Sequence, residues 1–145
     1  GGGTWGACYW DSPTSITEIP QGSITANYGQ ANAVSYDGTY IASVYRDTAT
    51  STRRAFIWDS VNGTRDLETV LVAAGIDLTG WQLVPQSDIS PFSWYGITGI
   101  SSDGKWISGI GLKNGVESGW VALIPEPSTL TVLAVGLLAL IRRRK

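Results

Sequence analysis

The chain has 145 residues, with ten Lys and Arg against twelve Asp and Glu, no His, no Met and one Cys. Without His it lacks the most common general base and transition-metal ligand, and a single Cys can form neither an internal disulfide nor a thiolate zinc cluster. The net charge of −2 gives no electrostatic reason to expect nucleic acid as a partner.

These absences predict a chain without a catalytic residue, a bound cofactor or a metal site. Its length is that of one domain or of a piece of a larger one. Its first residues are Gly1-Gly2-Gly3, where a natural reading frame has Met. We therefore expect a C-terminal fragment or a processed form of a longer protein.

Residues 1–124 have the pattern of an all-β fold. Runs of aromatic and β-branched residues indicate strands, which we predict over 4–10, 15–19, 31–35, 39–46, 53–59, 64–67, 96–101, 105–112 and 116–124. Turn dipeptides that tolerate positive φ separate several of them, namely Asp37-Gly38, Asn62-Gly63, Asp103-Gly104 and Asn114-Gly115. Residues 66–75 instead have the apolar spacing of a short helix that Gly75 ends.

The strand over 39–46 predicts how the sheets are arranged. Its alternate residues form two sets, and both are largely apolar: Tyr40, Ala42 and Val44 on one face, Ile41, Ser43 and Tyr45 on the other. A strand that is apolar on both faces is covered on both sides. We therefore predict stacked sheets.

Two sequence units alternate along this region. The unit Ser-x-Asp-Gly-x-aromatic-Ile occurs at 35–41 and 101–107, and Ala-x-x-Trp-Asp-Ser occurs at 7–12 and 55–60, with a degenerate third copy at 118–122. Alternating units of this kind are typical of four-stranded antiparallel sheets arranged as in a β-propeller. Because a closed propeller needs at least about four blades of ~40 residues, this chain can supply only part of one. Trp10, Trp58 and Trp120 fall at one repeat position, which predicts a core role.

The repeats resemble those of HAF-repeat proteins, which are bacterial extracellular proteins. The resemblance rests on Phe56-Ile57-Trp58-Asp59 followed by Arg65-Asp66-Leu67, and on residues 96–111 around Asp103-Gly104. It implies an architecture and a destination but no assigned chemistry.

The carboxylates raise the question of an enzyme, because glycoside hydrolysis needs only two of them. Asp37 and Asp103 precede turn glycines, whereas Asp11 and Asp59 follow strand tryptophans. We expect all four to have structural roles. The alternative is that this chain is the C-terminal part of a secreted, propeller-type, glycan-acting hydrolase whose catalytic residues lie upstream.

One aromatic pair is a candidate ligand contact. Trp94 and Tyr95 lie in a loop rich in Ser and Pro, and flat aromatic rings stack on sugar faces. We predict that any contact with polysaccharide is made there. Cys8 is instead expected to be a small buried hydrophobic residue.

The last 21 residues differ from the rest. Pro125-Glu126-Pro127 breaks any regular element and forms a linker. The uncharged stretch 128–141 follows, and then Arg142, Arg143, Arg144 and Lys145. Its 14 residues are fewer than the roughly 17–25 of an ordinary transmembrane helix, but local thinning of the bilayer and flanking basic residues permit insertion. We predict a transmembrane helix over about 128–141, with the basic cluster as a cytoplasmic membrane stop.

This arrangement of a PEP tripeptide, an apolar helix and a terminal basic cluster resembles the PEP-CTERM sorting signal of Gram-negative bacteria. The resemblance implies processing by the membrane enzyme exosortase, transient anchoring in the inner membrane, and a final location in the cell envelope or outside the cell. It also implies an N-terminal secretory signal, which we expect upstream of Gly1 in the longer protein. The sequence thus predicts two regions, 1–124 and 125–145. It predicts an exported repeat protein with a non-catalytic structural or binding role in an exopolysaccharide matrix or biofilm.

Overall fold

The computed structural model describes residues 6–20, 26–47, 50–86 and 96–124. The described residues form β1 (Cys8–Ser12), β2 (Ser15–Glu18), β3 (Ala26–Val34), β4 (Tyr40–Asp47), β5 (Arg53–Asp59), β6 (Gly63–Asp66), α1 (Leu67–Ala73), β7 (Trp81–Gln82), β8 (Gly96–Ile100), β9 (Trp106–Lys113) and β10 (Val116–Leu123). The predicted mostly β composition with one short helix is confirmed. The predicted helix over 128–141 lies outside the described residues.

The strands form three antiparallel sheets. The first sheet is the β1–β2 hairpin, the second is the meander β3–β4–β5–β6, and the third contains β7, β8, β9 and β10. In the third sheet, β10 pairs with one edge of β9 and β8 with the other, and β7 pairs with β9 beyond the end of β8, at Lys113 and Leu112. Strand β7 was not predicted, because two residues are too few to show any periodicity.

The second sheet lies between the other two and is covered on both faces. On one face Ala42, Val44, Ala55 and Ile57 share a core cluster with residues of the third sheet and of α1. On the other face Ile41, Tyr45, Phe56 and Trp58 share a cluster with Ala7 and Ile19 beside the first sheet, and Tyr9 packs against it. The prediction that the strand over 39–46 is covered on both sides is therefore confirmed.

The helix α1 lies where residues 66–75 predicted it. Its Leu67, Val70 and Leu71 close one side of the cluster between the second and third sheets, which is the larger cluster of the two. Asp66 caps its N-terminus. At its C-terminus the N–H of Gly75 donates to Val72 O (2.9 Å) and that of Ile76 to Leu71 O (3.0 Å). This is a Schellman motif, and Gly75 suits it because its φ is +84°.

Among the described residues the sheets have two, four and four strands, and they do not form a closed propeller. Two details of the predicted repeat are wrong. Trp10 is 67% exposed, whereas Trp58 and Trp120 are buried. Trp120 also occupies a different register: it pairs with Gly109, whereas Trp58 pairs with Ile41. The sequence unit alone could not show this offset, because a shift of two residues along a strand keeps a side chain on the same face.

Candidate functional site

The two Ser-x-Asp-Gly units form the same turn with the same hydrogen bonds. In the first, the Ser35 hydroxyl donates to Asp37 Oδ1 (2.7 Å) and accepts from the Tyr40 N–H (3.0 Å). In the second, the Ser101 hydroxyl donates to Asp103 Oδ1 (2.5 Å) and accepts from the Trp106 N–H (2.9 Å). Each aspartate also accepts from the N–H two residues later, and each following glycine has a positive φ. These carboxylates hold a turn closed.

The turns also lie next to each other. The Tyr36 N–H donates to Ser102 O (3.3 Å), and the ring of Tyr40 lies so close to Gly104 that a Cβ at Gly104 would overlap it. The repeat unit therefore has a second role, which is to join the second sheet to the third at this end of the stack.

Hydrogen bonding lowers the pKa of both turn carboxylates. The pKa of Asp37 is lowered to about 2, chiefly by the Ser35 hydroxyl and then by the Thr39 N–H and hydroxyl. The pKa of Asp103 is lowered for the same reason, with the Ser101 hydroxyl as the largest cause. A carboxylate with a lowered pKa remains ionised and does not act as a general acid near neutral pH.

We expect the Asp37 turn to lose stability in acid. In the folded protein the pKa of Asp37 lies below its ordinary value. The stability that the ionised carboxylate contributes is therefore present above pH 3.8 and is lost as the pH falls toward about 2. Urea unfolding between these limits should show a steeper loss for the wild type than for Asp37→Asn, which keeps an acceptor oxygen but does not titrate. Parallel stability profiles for the two proteins would contradict this role.

Asp59 is the buried carboxylate of the second repeat unit. Its Oδ1 accepts from the N–H groups of Val61 (3.0 Å) and Asn62 (2.7 Å) and from the Asn62 side chain, and its Oδ2 pairs with Arg65 Nη2 at 2.5 Å. Its side chain is 4% exposed. The equivalent Asp11 is exposed and accepts from the Thr17 hydroxyl at 3.4 Å. The repeat thus has one buried, ion-paired aspartate and one exposed counterpart.

Asp66 is the centre of an ionisable cluster that the sequence did not single out. It accepts hydrogen bonds from the N–H (2.8 Å) and hydroxyl (2.9 Å) of Thr69, from Arg54 Nη2 (3.0 Å) and from the Tyr45 hydroxyl (3.3 Å). Its Oδ2 also forms an ion pair with Arg54 Nε at 2.8 Å. Glu68 lies 3.6 Å from Arg54. Burial is the main cause that raises the pKa of Tyr45 and of Glu68. An Asp three residues before Thr69, at the start of an apolar helical spacing, was a recognisable N-cap signal.

Beside this cluster lies an open surface depression of about 440 Å³, lined by Arg54, Glu68, Thr69, Val72 and Ala73. The Arg54 guanidinium at its margin is engaged by Asp66 and Glu68, so it is not free to bind an anion. Across residues 6–20, 26–47, 50–86 and 96–124, no three His, Cys, Asp or Glu side chains are grouped closely enough to hold a metal ion.

The other predicted site residues lie outside the described residues. They are the sorting motif (Pro125, Glu126, Pro127), the membrane stop (Arg142, Arg143, Arg144, Lys145) and the candidate glycan contact (Trp94, Tyr95). Cys8 is described, and it is half-buried with its Sγ 3.6 Å from Gly6 O. Within the described ranges, no helix is both long and apolar enough to cross a membrane.

The described residues thus form a stack of antiparallel sheets with repeated turns, in which Asp37, Asp103 and Asp59 bond to groups of the protein itself. Residues 123–145 match the family model described as the PEP-CTERM protein-sorting motif. No curated protein and no solved structure matches the chain.

The match confirms the sorting signal that the residues around Pro125, Glu126 and Pro127 predicted. A PEP-CTERM signal implies processing by exosortase and export to the cell envelope or the extracellular space.

Proposed function

We propose that this chain is the repeat region of an exosortase-sorted envelope or extracellular protein with a non-catalytic structural or binding role. The observation that carries the proposal is the PEP-CTERM motif at 123–145, because it specifies the route and the destination. The described part supports the non-catalytic role through the bonding of its carboxylates.

The carboxylates matter because hydrolysis of a glycan requires two of them facing a sugar from opposite sides. Asp37 and Asp103 each close a turn, Asp59 is buried in an ion pair, and Asp66 caps a helix while it binds Arg54. A carboxylate committed to internal donors is poorly placed to deliver a proton or to attack a sugar.

Three further parts of the proposal concern residues that lie outside the described ranges. The apolar stretch 128–141 anchors the chain transiently in the inner membrane, and Arg142 to Lys145 stop its transfer on the cytoplasmic side. After processing, the repeat region joins an exopolysaccharide matrix, with Trp94 and Tyr95 as the candidate glycan contact. The similarity of the sequence units to HAF repeats supports this extracellular setting.

The sorting step is tested by replacing Pro125, Glu126 and Pro127 with Ala in a host that expresses exosortase. We expect the variant to stay unprocessed in the membrane fraction, because the enzyme no longer recognises its signal. The wild type should be shortened and should appear in the envelope or medium. Its presence should not increase the polysaccharide-cleaving activity of either fraction. The matched control is Pro20→Ala, a proline outside the motif, which should be sorted like the wild type.

Two outcomes would overturn the proposal. Normal processing and release of the triple variant would remove the sorting role of the motif. Polysaccharide-cleaving activity that accompanies the purified wild-type chain would remove the non-catalytic role.

A further inference from the structure

Each sheet of the stack has two different faces, and the internal repeat defines them. The hairpins β1–β2 and β5–β6 pair in the same register: Trp10 pairs with Ile16 as Trp58 pairs with Thr64. Because the registers coincide, Trp10 occupies in the first sheet the position that Trp58 occupies in the second. The face that carries this tryptophan is called here the leading face, and the opposite face is called the trailing face.

Inside the chain, a leading face always packs on the trailing face of the preceding sheet. Trp58 and Phe56, on the leading face of the second sheet, pack with Ala7 and Ile19 on the trailing side of the first. On the trailing face of the second sheet, Ile57 shares the larger cluster with Trp120 of the third sheet. The same kind of contact therefore occurs twice in succession.

The first sheet has a leading face that the described residues leave uncovered. Trp10 is 67% exposed and Ile16 is 59% exposed, whereas the equivalent Trp58 is 8% exposed. The half-buried Cys8 lies on the same face, two residues before Trp10.

The third sheet has the complementary feature, a trailing face on which none of the described residues packs as a further sheet. Trp106 is the equivalent of Tyr40, since each follows a Ser-x-Asp-Gly turn. Tyr40 packs against Gly104, whereas the side chain of Trp106 is 50% exposed. Val121 pairs with Ser108 as Ile57 pairs with Ala42. Val121 is 68% exposed although Ile57 is fully buried, and Leu123 beside it is 47% exposed.

We propose that the leading face of one copy (Cys8, Trp10, Ile16) docks on the trailing face of a second copy (Trp106, Val121, Leu123). The argument for a second copy is that one chain carries both halves of a contact that it already makes twice internally. Exposed apolar patches of this kind mark association surfaces. Because the two halves differ, the contact is head-to-tail, and its repetition adds further copies to an open stack unless the ends meet in a ring.

The contact is tested by placing a charge on each face separately. We compare the full chain with Trp10→Asp, which disables the leading face, and Val121→Asp, which disables the trailing face, by sedimentation velocity in one mild detergent. The wild type should form oligomers that grow with concentration, and each variant alone should be monomeric. The matched control is Val72→Asp on α1, which charges a side chain that is 58% exposed but belongs to neither face, and it should behave like the wild type.

Mixing the two variants gives the decisive result. Each variant retains the face that the other has lost, so an equimolar mixture should form dimers and no larger species. A monomeric wild type would overturn the proposal, as would a monomeric mixture of variants that retain the wild-type circular dichroism spectrum and melting temperature. Dimers formed by either variant alone would also overturn it, because they would show a symmetric contact between identical faces.

Discussion

Replacing Asp59 with Ala is expected to lower the free energy of unfolding by about 3 kcal/mol. The change leaves Arg65, whose side chain is 20% exposed, without its carboxylate partner at 2.5 Å. It also removes the acceptor of the Val61 and Asn62 N–H groups. Loss of one partner of a buried ion pair costs more than the pair itself contributes, since the remaining charge and donors stay partly desolvated.

The internal repeat supplies the matched control. Asp11 follows Trp10 as Asp59 follows Trp58, but it is exposed and accepts a long hydrogen bond from the Thr17 hydroxyl at 3.4 Å. Asp11→Ala should therefore change the free energy of unfolding by less than about 0.5 kcal/mol. Urea unfolding of both variants measures the difference, and equal losses at the two positions would show that burial and ion pairing at Asp59 do not matter.

Replacing Gly109 with Ala is expected to lower the free energy of unfolding by about 3 kcal/mol. A Cβ at Gly109 would overlap both the ring of Trp120 and the backbone oxygen of Gly96. Trp120 is a buried residue of the larger cluster, and the Gly96 oxygen belongs to the neighbouring strand β8. Neither can therefore move aside freely. The close approach of β8, β9 and β10 at this point therefore requires a residue without a side chain.

Gly119 on the paired strand is the control for this substitution. The nearest atom to a Cβ there is Gly109 O at 4.0 Å, and Gly119 is exposed. Gly119→Ala should leave the free energy of unfolding within about 1 kcal/mol of the wild type, with a slight gain from the stiffer unfolded chain. If Gly109→Ala unfolds at the same urea concentration as Gly119→Ala, the steric argument fails.

Much of the fold could be predicted from local patterns. The alternation in 39–46 predicted a strand covered on both faces, and Tyr45 and Ile41 indeed pack on the opposite side of the sheet from Ala42 and Val44. The spacing of Leu67, Val70 and Leu71 predicted a helix that occurs over Leu67–Ala73. These predictions succeed because side-chain direction along a strand or helix depends on nearest neighbours in the sequence.

Contacts between distant segments were not predictable in the same way. The core role expected of Trp10 was wrong, because its burial depends on what lies against the first sheet and not on its place in the repeat. The cluster of Asp66, Arg54 and Tyr45 was missed because β5 and β6 bring these residues together only through their pairing in the meander. The short β7 forms only because β9 offers it an edge.

The sequence by itself determined the destination of the protein. The sorting motif at 123–145 is a contiguous signal, so its order of residues is sufficient for recognition. The sequence likewise determined the two Ser-x-Asp-Gly turns, whose hydrogen bonds join residues no more than five positions apart.

Only the tertiary structure decided which equivalent residues are buried and which remain exposed. The same sequence context leads to opposite environments. Trp58 and Asp59 are buried, whereas the equivalent Trp10 and Asp11 are exposed. The physical reason is that the free energy of burial depends on the area removed from water by neighbours that are distant in the chain. Within residues 6–20, 26–47, 50–86 and 96–124, the middle sheet has such neighbours on both faces, whereas each outer sheet has them on one.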